Sequence, residues 1–292
     1  MKIDGVFSDS KLRNKRHIQI ARAKINLALH ITGKIGDSYH TLDSLVAFPN
    51  VGDNLYFSKS KKMTLSVSGP FSSPDLESDD NIILKARKIM LSSGICVDIN
   101  LEKNLPLASG IGGGSADAAA TLRGLSRLLK KPLPSSEKIL SLGADVPVCM
   151  STSFQRMGGI GEKIVSLPSP PSMWMVLVNL LFHVPTKKIF NSLEVKNNSS
   201  LDFFEKFVSQ DELFCYLVEQ RNDLEPVACS HFPPLKVLLA DLSNTTACEL
   251  ARMSGSGGTC FALYKNFNAA NNAAKVMRRK YPRAWVKSVS CF

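Results

Sequence analysis

The feature that most constrains the fold is a glycine-rich stretch at residues 105–120, with the sequence Leu-Pro-Leu-Ala-Ser-Gly-Ile-Gly-Gly-Gly-Ser-Ala-Asp-Ala-Ala-Ala. Four glycines lie within five positions: Gly110, Gly112, Gly113 and Gly114. Glycine tolerates positive φ angles and lets a ligand approach the backbone closely. The apolar stripe that follows predicts a helix ending near Lys131, just before Pro132. Because the first N–H groups of a helix are unpaired and attract anions, the stretch predicts a phosphate-binding loop.

Two common phosphate-binding motifs do not match this loop. A Walker A motif requires a lysine before Ser or Thr, and the loop contains no lysine. A dinucleotide-binding fingerprint follows a strand directly and requires a glycine at its sixth position, where Ser115 stands when the count begins at Gly110. The strand-like run at 97–101 also ends well before the glycines. A flexible glycine turn capped by Ser115 is the simpler alternative.

Composition limits the class of protein. The 292 residues are enough for two domains, and 44% hydrophobic with 21% charged residues is typical of a folded soluble chain. No apolar run reaches the roughly 18 residues of a membrane helix, and residues 1–17 lack the apolar core of a signal peptide. We expect those residues to form a short, frayed lead-in. Seven cysteines without a Cys-x-x-Cys pair favour reduced thiols, so we expect a cytoplasmic protein that binds no membrane.

The net charge of +11 raises the question of nucleic-acid binding. The basic residues are scattered in small clusters and are not interleaved with aromatic residues. A basic surface also attracts a small polyanionic substrate, so we expect no nucleic-acid partner. A basic RNA-binding protein on an α+β scaffold remains an alternative.

The strand predicted near residues 18–31 carries the polar side chains of interest. Strict alternation would place Ile25 and Leu27 on one face, with Lys24, Asn26 and His30 on the other. A lysine in the middle of a strand is usually a solvated outward residue, and that explanation stays open for Lys24.

Three segments resemble the motifs of the GHMP kinase superfamily, named after galactokinase, homoserine kinase, mevalonate kinase and phosphomevalonate kinase. They are Ala-Lys-Ile-Asn-Leu at 23–27, Pro-x-x-x-Gly-Ile-Gly-Gly-Gly-Ser-Ala at 106–116, and Met-Ser-Gly-Ser-Gly-Gly at 253–258. The resemblance covers about residues 20–263. It implies an α+β fold of two domains. The N-terminal ATP-binding domain at 1–167 would be ribosomal-protein-S5-like, with its phosphate loop at 106–117. The C-terminal substrate-binding domain at 168–292 would be a ferredoxin-like α/β sandwich.

Other segments resemble one branch of that superfamily, the kinases that act on 4-diphosphocytidyl-2-C-methyl-D-erythritol. The first is Asp-Ser-Tyr-His-Thr-Leu at 37–42, in which Ser38 stands where the branch usually has glycine. Leu-Gly-Ala-Asp-Val-Pro at 142–147 and Val-Pro-Thr at 184–186 are similar to further branch segments, and Asp-Asn-Ile-Ile at 80–83 matches its Asp-Asn-Leu-Ile. Gly-Gly-Ile-Gly-Glu at 158–162 departs from the branch, which commonly has glutamate at Gly158.

The resemblance implies that the chain phosphorylates the 2-hydroxyl of this cytidyl substrate with ATP and Mg²⁺. Lys24 and Asp145 would be catalytic, with Asp145 as the general base. ATP would contact Asn81, Pro106, Gly110, Gly112, Gly113, Gly114, Ser115, Ala116, Ser254, Gly255 and Gly257. The substrate would contact Asn26, Tyr39, His40, Ile160, Thr186 and Phe190. Ser115 could lend its hydroxyl to the metal, and the sequence identifies no carboxylate ligand. We expect a monomer or a weak homodimer.

Several of these residues also have ordinary structural explanations. Asn81 could simply cap a helix, Asp145 could form a turn, residues 158–162 could be a plain β-turn, and Phe190 could be a core aromatic residue. A superfamily kinase acting on mevalonate or homoserine is a further alternative. The pair Tyr39-His40 together with Pro185-Thr186 disfavours it, because those substrates carry no cytosine.

Overall fold

Three four-stranded sheets and eight helices make up the described part of the chain, residues 17–36, 39–91 and 95–292 of a computed structural model. The strands are β1 (His17–Arg22), β2 (Ile25–Ile35), β3 (Tyr39–Ala47), β4 (Gly52–Lys59), β5 (Thr64–Ser68), β6 (Val97–Glu102), β7 (Gln155–Gly159), β8 (Lys163–Ser166), β9 (Met173–Asn179), β10 (Leu250–Met253), β11 (Thr259–Tyr264) and β12 (Trp285–Cys291). The helices are α1 (Ile82–Met90), α2 (Gly113–Leu129), α3 (Ser136–Leu140), α4 (Thr186–Asn191), α5 (Gln210–Glu219), α6 (Glu225–His231), α7 (Pro233–Ser243) and α8 (Phe267–Lys280).

The first sheet has the strand order β1-β4-β6-β5 and supports the glycine-rich loop. Its pairs are antiparallel except β5 with β6, which the crossover through α1 makes parallel. Helix α2 packs on this sheet very closely at Gly124, where a Cβ atom would lie 2.7 Å from Cδ2 of Phe57. The close approach holds α2, which begins at the glycine-rich loop, tightly against the sheet.

The second sheet has the order β2-β3-β7-β8 and is antiparallel throughout. Strand β2 is buried on both faces, and Leu27 is an extra residue in its pairing with β3. Such a β-bulge shifts the alternation of side chains by one position. Leu29 therefore lines the large cavity described below, while Nδ1 of His30 lies 3.0 Å from the carbonyl oxygen of Ser199. The prediction that His30 shares a face with Lys24 and Asn26 is wrong for this reason.

The third sheet has the order β10-β11-β9-β12, and all its pairs are antiparallel. Helices α4 to α7 connect β9 to β10, and α8 connects β11 to β12. This is the βαββαβ plan of a ferredoxin-like sandwich. The predicted α+β fold is confirmed, because mixed sheets and helices recur in both halves.

The proposed domain boundary at 167/168 falls in the segment between β8 and β9. Apolar residues from both sides of it share one core cluster, in which Ile25 and Phe154 meet Phe261 and Trp285. Residues 1–16, most of the expected lead-in, and Ser38 lie outside the described residues. Within the described ranges, no helix combines the length and the apolar character needed to cross a membrane.

Candidate active site

A cavity of about 1400 Å³ opens where the glycine-rich loop, α1, β2 and α4 meet. Most of the residues proposed from the sequence line it, although they come from distant parts of the chain. These are Lys24, Asn26, His40, Asn81, Pro106, Gly110, Gly112, Gly113, Gly114, Ser115, Asp145, Ile160, Thr186, Phe190 and Gly255.

The glycine-rich loop contains three residues with positive φ angles, +46° at Ala108, +73° at Gly110 and +65° at Gly112. Gly112 is the N-cap of α2, so the first N–H groups of this 17-residue helix begin at the cavity wall. A Cβ atom on Gly110 would lie 2.7 Å from the carbonyl oxygen of Ser254 and closer still to that of Gly257. The loop at 253–258 therefore lies directly against the first glycine-rich loop.

Lys24 and Asp145 form an ion pair beside this loop, with Nζ 2.9 Å from Oδ2. The Lys24 backbone N–H donates to the carbonyl of Ile111 at 2.8 Å, and a Cβ on Gly112 would lie 3.1 Å from Cβ of Lys24. The lysine is buried, whereas the side chain of Asp145 is 37% exposed. The carboxylate is thus held by a fixed cation and still accessible from the cavity.

The nucleotide side of the cavity is formed by the start of α1 and the glycine-rich loop. Asn81 is the N-cap of α1, and its Oδ1 accepts the N–H of Ile83 at 2.7 Å. It also lines the cavity. The prediction that Asn81 caps a helix is confirmed. Its contact with a nucleotide stays a prediction.

His40 and Phe190 also line the cavity, with ring centroids 5.3 Å apart. The buried Nε2 of His40 has no hydrogen-bond partner among the described residues. Burial lowers the pKa of His40 below its usual value, and the nearby Lys196 and Lys34 lower it further. A neutral imidazole next to an aromatic ring can read the polar edge of a heterocyclic base. The side chain of Tyr39 lies outside the described part of the chain.

Three of the proposed nucleotide residues lie behind the cavity wall. Ala116 is buried in the core under α2. Ser254 is fully buried, and its hydroxyl accepts the N–H of Asn26 at 3.1 Å and donates to the carbonyl of Gly110 at 3.2 Å. Gly257 contacts the first glycine-rich loop through its backbone. These residues hold the two loops and β2 together.

Comparison with known proteins agrees with this geometry. The model of the GHMP kinases N terminal domain matches residues 81–153, and that of the GHMP kinases C terminal matches residues 211–283. A 4-diphosphocytidyl-2-C-methyl-D-erythritol kinase from Cereibacter sphaeroides is 44% identical over 91% of this chain and 96% of its own length. A protein of that name from Rhizobium etli is 41% identical over 92% of both chains.

The chain belongs to the 4-diphosphocytidyl-2-C-methyl-D-erythritol kinase family of the GHMP kinases.

Solved structures support the same assignment. The crystal structure of a 4-(cytidine 5'-diphospho)-2C-methyl-D-erythritol kinase has a TM-score of 0.77 and 27% identity, covering 94% of this chain and 99% of that one. A homoserine kinase from Cytophaga hutchinsonii has a TM-score of 0.64 at 15% identity, covering 99% of this chain and 97% of that one. At 15% identity, the similarity to the homoserine kinase shows a shared fold only.

A buried charged cluster beneath the glycine-rich loop was missing from the sequence-based prediction. Lys103 Nζ lies 2.5 Å from Oδ2 of Asp53 and 2.7 Å from Oδ2 of Asp117, and all three residues are buried. The other oxygen of Asp53 accepts the backbone N–H groups of Asn104 and Leu105 at 2.5 and 2.8 Å. Burial raises the pKa of Asp117 to about 8, against the opposing effect of Lys103. The cluster joins β4, the residues entering the loop, and α2.

Asn222 is a second residue that the sequence did not single out. Its Nδ2 donates to the carbonyls of Met253 and Gly255 at 2.8 and 2.9 Å, and its Oδ1 accepts the N–H of Leu224. The amide therefore fixes the loop at 253–258 from behind. In the sequence Asn222 appears only as a polar residue before α6, so no local pattern could have revealed this contact.

The segment 158–162, in which Gly158 departs from the branch pattern, contributes one residue to the cavity wall. Residues 160–162 connect β7 to β8, and the N–H of Gly161 donates to the carbonyl of Gly158 at 3.1 Å. Ile160 lines the cavity. The segment is thus both a β-turn and part of the wall, and neither interpretation excludes the other.

Proposed function

We propose that this chain transfers the terminal phosphoryl group of ATP to the 2-hydroxyl of 4-diphosphocytidyl-2-C-methyl-D-erythritol. The observation that carries the proposal is the 2.9 Å ion pair of Lys24 and Asp145 against the backbone of Gly112. A carboxylate and an ammonium at the start of a phosphate-binding helix are suited to moving a proton from a hydroxyl while a phosphoryl group is transferred. The family relatives carry the name of this activity.

Asp145 would accept the proton of the substrate hydroxyl as general base. Positioned general bases contribute about 10²- to 10⁴-fold to rate. The Lys24 ammonium, held between the glycine-rich loop and Asp145, would orient the carboxylate and stabilise charge on the phosphoryl group in flight. Because Lys24 is buried, little water competes for its charge.

The N–H groups at the start of α2 would hold the ATP phosphates. Mg²⁺ usually keeps several water ligands and takes phosphate oxygens plus one or two protein oxygens. Across the described residues no three or more His, Cys, Asp or Glu side chains gather around one point. The Ser115 hydroxyl at the cavity wall fits such a sparse site. When bound, the metal would neutralise phosphate charge.

The cytosine of the substrate would lie at His40 and Phe190 in the cavity wall. The unpaired Nε2 of His40 supplies a hydrogen-bonding group for the polar edge of the base, and Phe190 supplies a ring for its face. Oδ1 of Asn26, which is buried without a partner among the described residues, offers an acceptor for a hydroxyl of the reacting end.

A coupled assay of ADP release with three acceptors tests the proposal. We expect turnover with the cytidyl substrate and none with mevalonate or homoserine. Turnover with mevalonate or homoserine in its place would reassign the substrate within the superfamily. If the chain transfers phosphate from ATP to none of the three acceptors and instead binds RNA with an affinity that falls steeply with salt, the kinase proposal is refuted.

A further inference from the structure

Lys187 is a cation on the cavity wall that the proposed mechanism does not use. It is the second residue of α4, and it shares the cavity-facing side of that helix with Phe190 and Asn191, three and four positions later. Thr186, the first residue of α4, also lines the cavity, whereas Lys188 and Ile189 do not. Ile189 is fully buried in the core, and the ammonium of Lys188 lies 5.6 Å from the ring centroid of Phe232.

The ammonium of Lys187 is available for a ligand. No ion pair or hydrogen bond engages it within the described ranges, in contrast to Lys24, which is paired with Asp145. His183 also lines this part of the cavity, and the same described ranges give its ring no partner. Lys34 and Lys196 act electrostatically on His40 near by. This side of the cavity therefore presents positive charge.

The carboxylates of the cavity lie mostly elsewhere. Among the described lining residues, Asp75 and Asp80 precede α1 and Asp117 belongs to α2, all on the nucleotide side. Asp145 already has a cation partner. An unpaired ammonium with few carboxylates around it is a site for an anion.

Lys187 lies in α4 between two residues whose side chains contact other parts of the cavity wall. At one side of it, Oγ1 of Thr186 lies 2.8 Å from Oγ of Ser256 in the loop at 253–258. At the other, Phe190 contacts the ring of His40. In the cytidyl substrate a diphosphate links the nucleoside to the erythritol that carries the reacting hydroxyl.

We propose that Lys187 binds the diphosphate of the cytidyl substrate, with His183 as a second donor. The inference rests on the proposed function and names the group that this side of the same site recognises. A lysine at this place would select substrates that carry a diphosphate over uncharged nucleosides. It would contribute little to the binding of ATP, whose phosphates lie at α2.

The test compares two ligands that differ by the diphosphate alone, CDP and cytidine, by titration calorimetry on the full-length chain. We expect Lys187→Gln to raise the Kd for CDP about tenfold, since a charge-assisted hydrogen bond is worth at least about 1.4 kcal/mol. The Kd for cytidine and the KM for ATP should stay unchanged. Raising the salt concentration should weaken CDP binding to the wild type more than to the variant.

Lys188→Gln is the matched control, because it removes the same charge from the neighbouring residue, which lies over Phe232. It should leave CDP binding as in the wild type. Three results would each overturn the assignment of Lys187: an equal loss of affinity for CDP and for cytidine, an equal loss of CDP affinity in Lys187→Gln and Lys188→Gln, or a raised KM for ATP. If wild-type protein binds CDP and turns over the cytidyl substrate while Lys187→Gln changes neither, this inference alone fails. If the wild type does neither, the proposed function fails with it.

Discussion

Replacing Gly110 by alanine tests whether the two glycine-rich loops must touch for the site to form. An alanine there would have to adopt φ near +73°, which costs an L-residue about 1–2 kcal/mol. Its Cβ would lie 2.7 Å from the carbonyl oxygen of Ser254, where ordinary contact begins at 3.4 Å, and closer still to that of Gly257. Overpacking of this kind costs a further 1–3 kcal/mol or so. We therefore expect the free energy of unfolding to fall by about 2–5 kcal/mol.

The effect of Gly110→Ala on activity follows from how far it would push the two glycine-rich loops apart. The loops would have to separate by about 0.7 Å or more, and Ile111, next to Gly110, carries the carbonyl that holds the backbone of Lys24. A misplacement approaching 1 Å costs up to about 100-fold in rate, so kcat/KM should fall by about that factor. Chemical denaturation and the coupled assay measure the two effects.

Gly114→Ala, in the first turn of α2, is the control for stability. A Cβ there meets nothing closer than 3.9 Å, and alanine is favoured over glycine inside a helix by up to about 1 kcal/mol. Its stability should equal or exceed that of the wild type. A Gly110→Ala protein with wild-type stability and wild-type kcat/KM would refute the argument that these loops are packed backbone against backbone.

Three further predictions concern the buried cluster and the base site. Lys103→Met should lower the free energy of unfolding by about 3–5 kcal/mol, because it leaves the buried Asp53 carboxylate without a cation and removes the contact to Asp117. Lys85→Met, which breaks the exposed ion pair with Asp80, should have almost no effect in the same denaturation experiment. An equal loss of unfolding free energy in the two variants would contradict the reasoning. Because the folded-state pKa of Asp117 is raised from 3.8 to about 8, the folded chain binds a proton that the unfolded chain releases. The stability of the wild type should therefore decline as pH rises through that interval, and Asp117→Asn should flatten the decline; an unchanged slope in urea titrations would refute it. Phe190→Ala should raise the KM for the cytidyl substrate about 5- to 150-fold in steady-state assays, since stacking of a base on an aromatic ring is worth about 1–3 kcal/mol. An unaltered KM would place the cytosine elsewhere.

The elements that the sequence could predict are those with local causes. Helix α1 begins at Ile82 because the Asn81 side chain caps it, and this capping depends on residues two positions apart. The glycine-rich loop and the start of α2 likewise follow from glycines at positions of positive φ. Family resemblance, rather than any local pattern, brought Lys24 and Asp145 together in the prediction, because the two are 121 residues apart.

What could not be predicted depends on register and on tertiary contacts. The bulge at Leu27 reverses the alternation of β2, and nothing in its apolar sequence distinguishes it from its neighbours. Lys103 directly follows β6, Asp117 lies in α2 and Asp53 lies in β4. The three side chains therefore meet only in the folded chain. Each of these charges taken alone in the sequence resembles an exposed surface residue, so only the fold reveals that they are buried together.

The most direct test of the account is phosphoryl transfer by Asp145→Asn, measured together with its affinity for ATP. The account predicts that kcat for the cytidyl substrate falls by about 10²- to 10⁴-fold, because the general base is lost. The Kd for ATP should stay unchanged, since the glycine-rich loop and α2 are intact. A variant that transfers phosphate at nearly the wild-type rate would remove Asp145 from the chemistry and contradict the central claim.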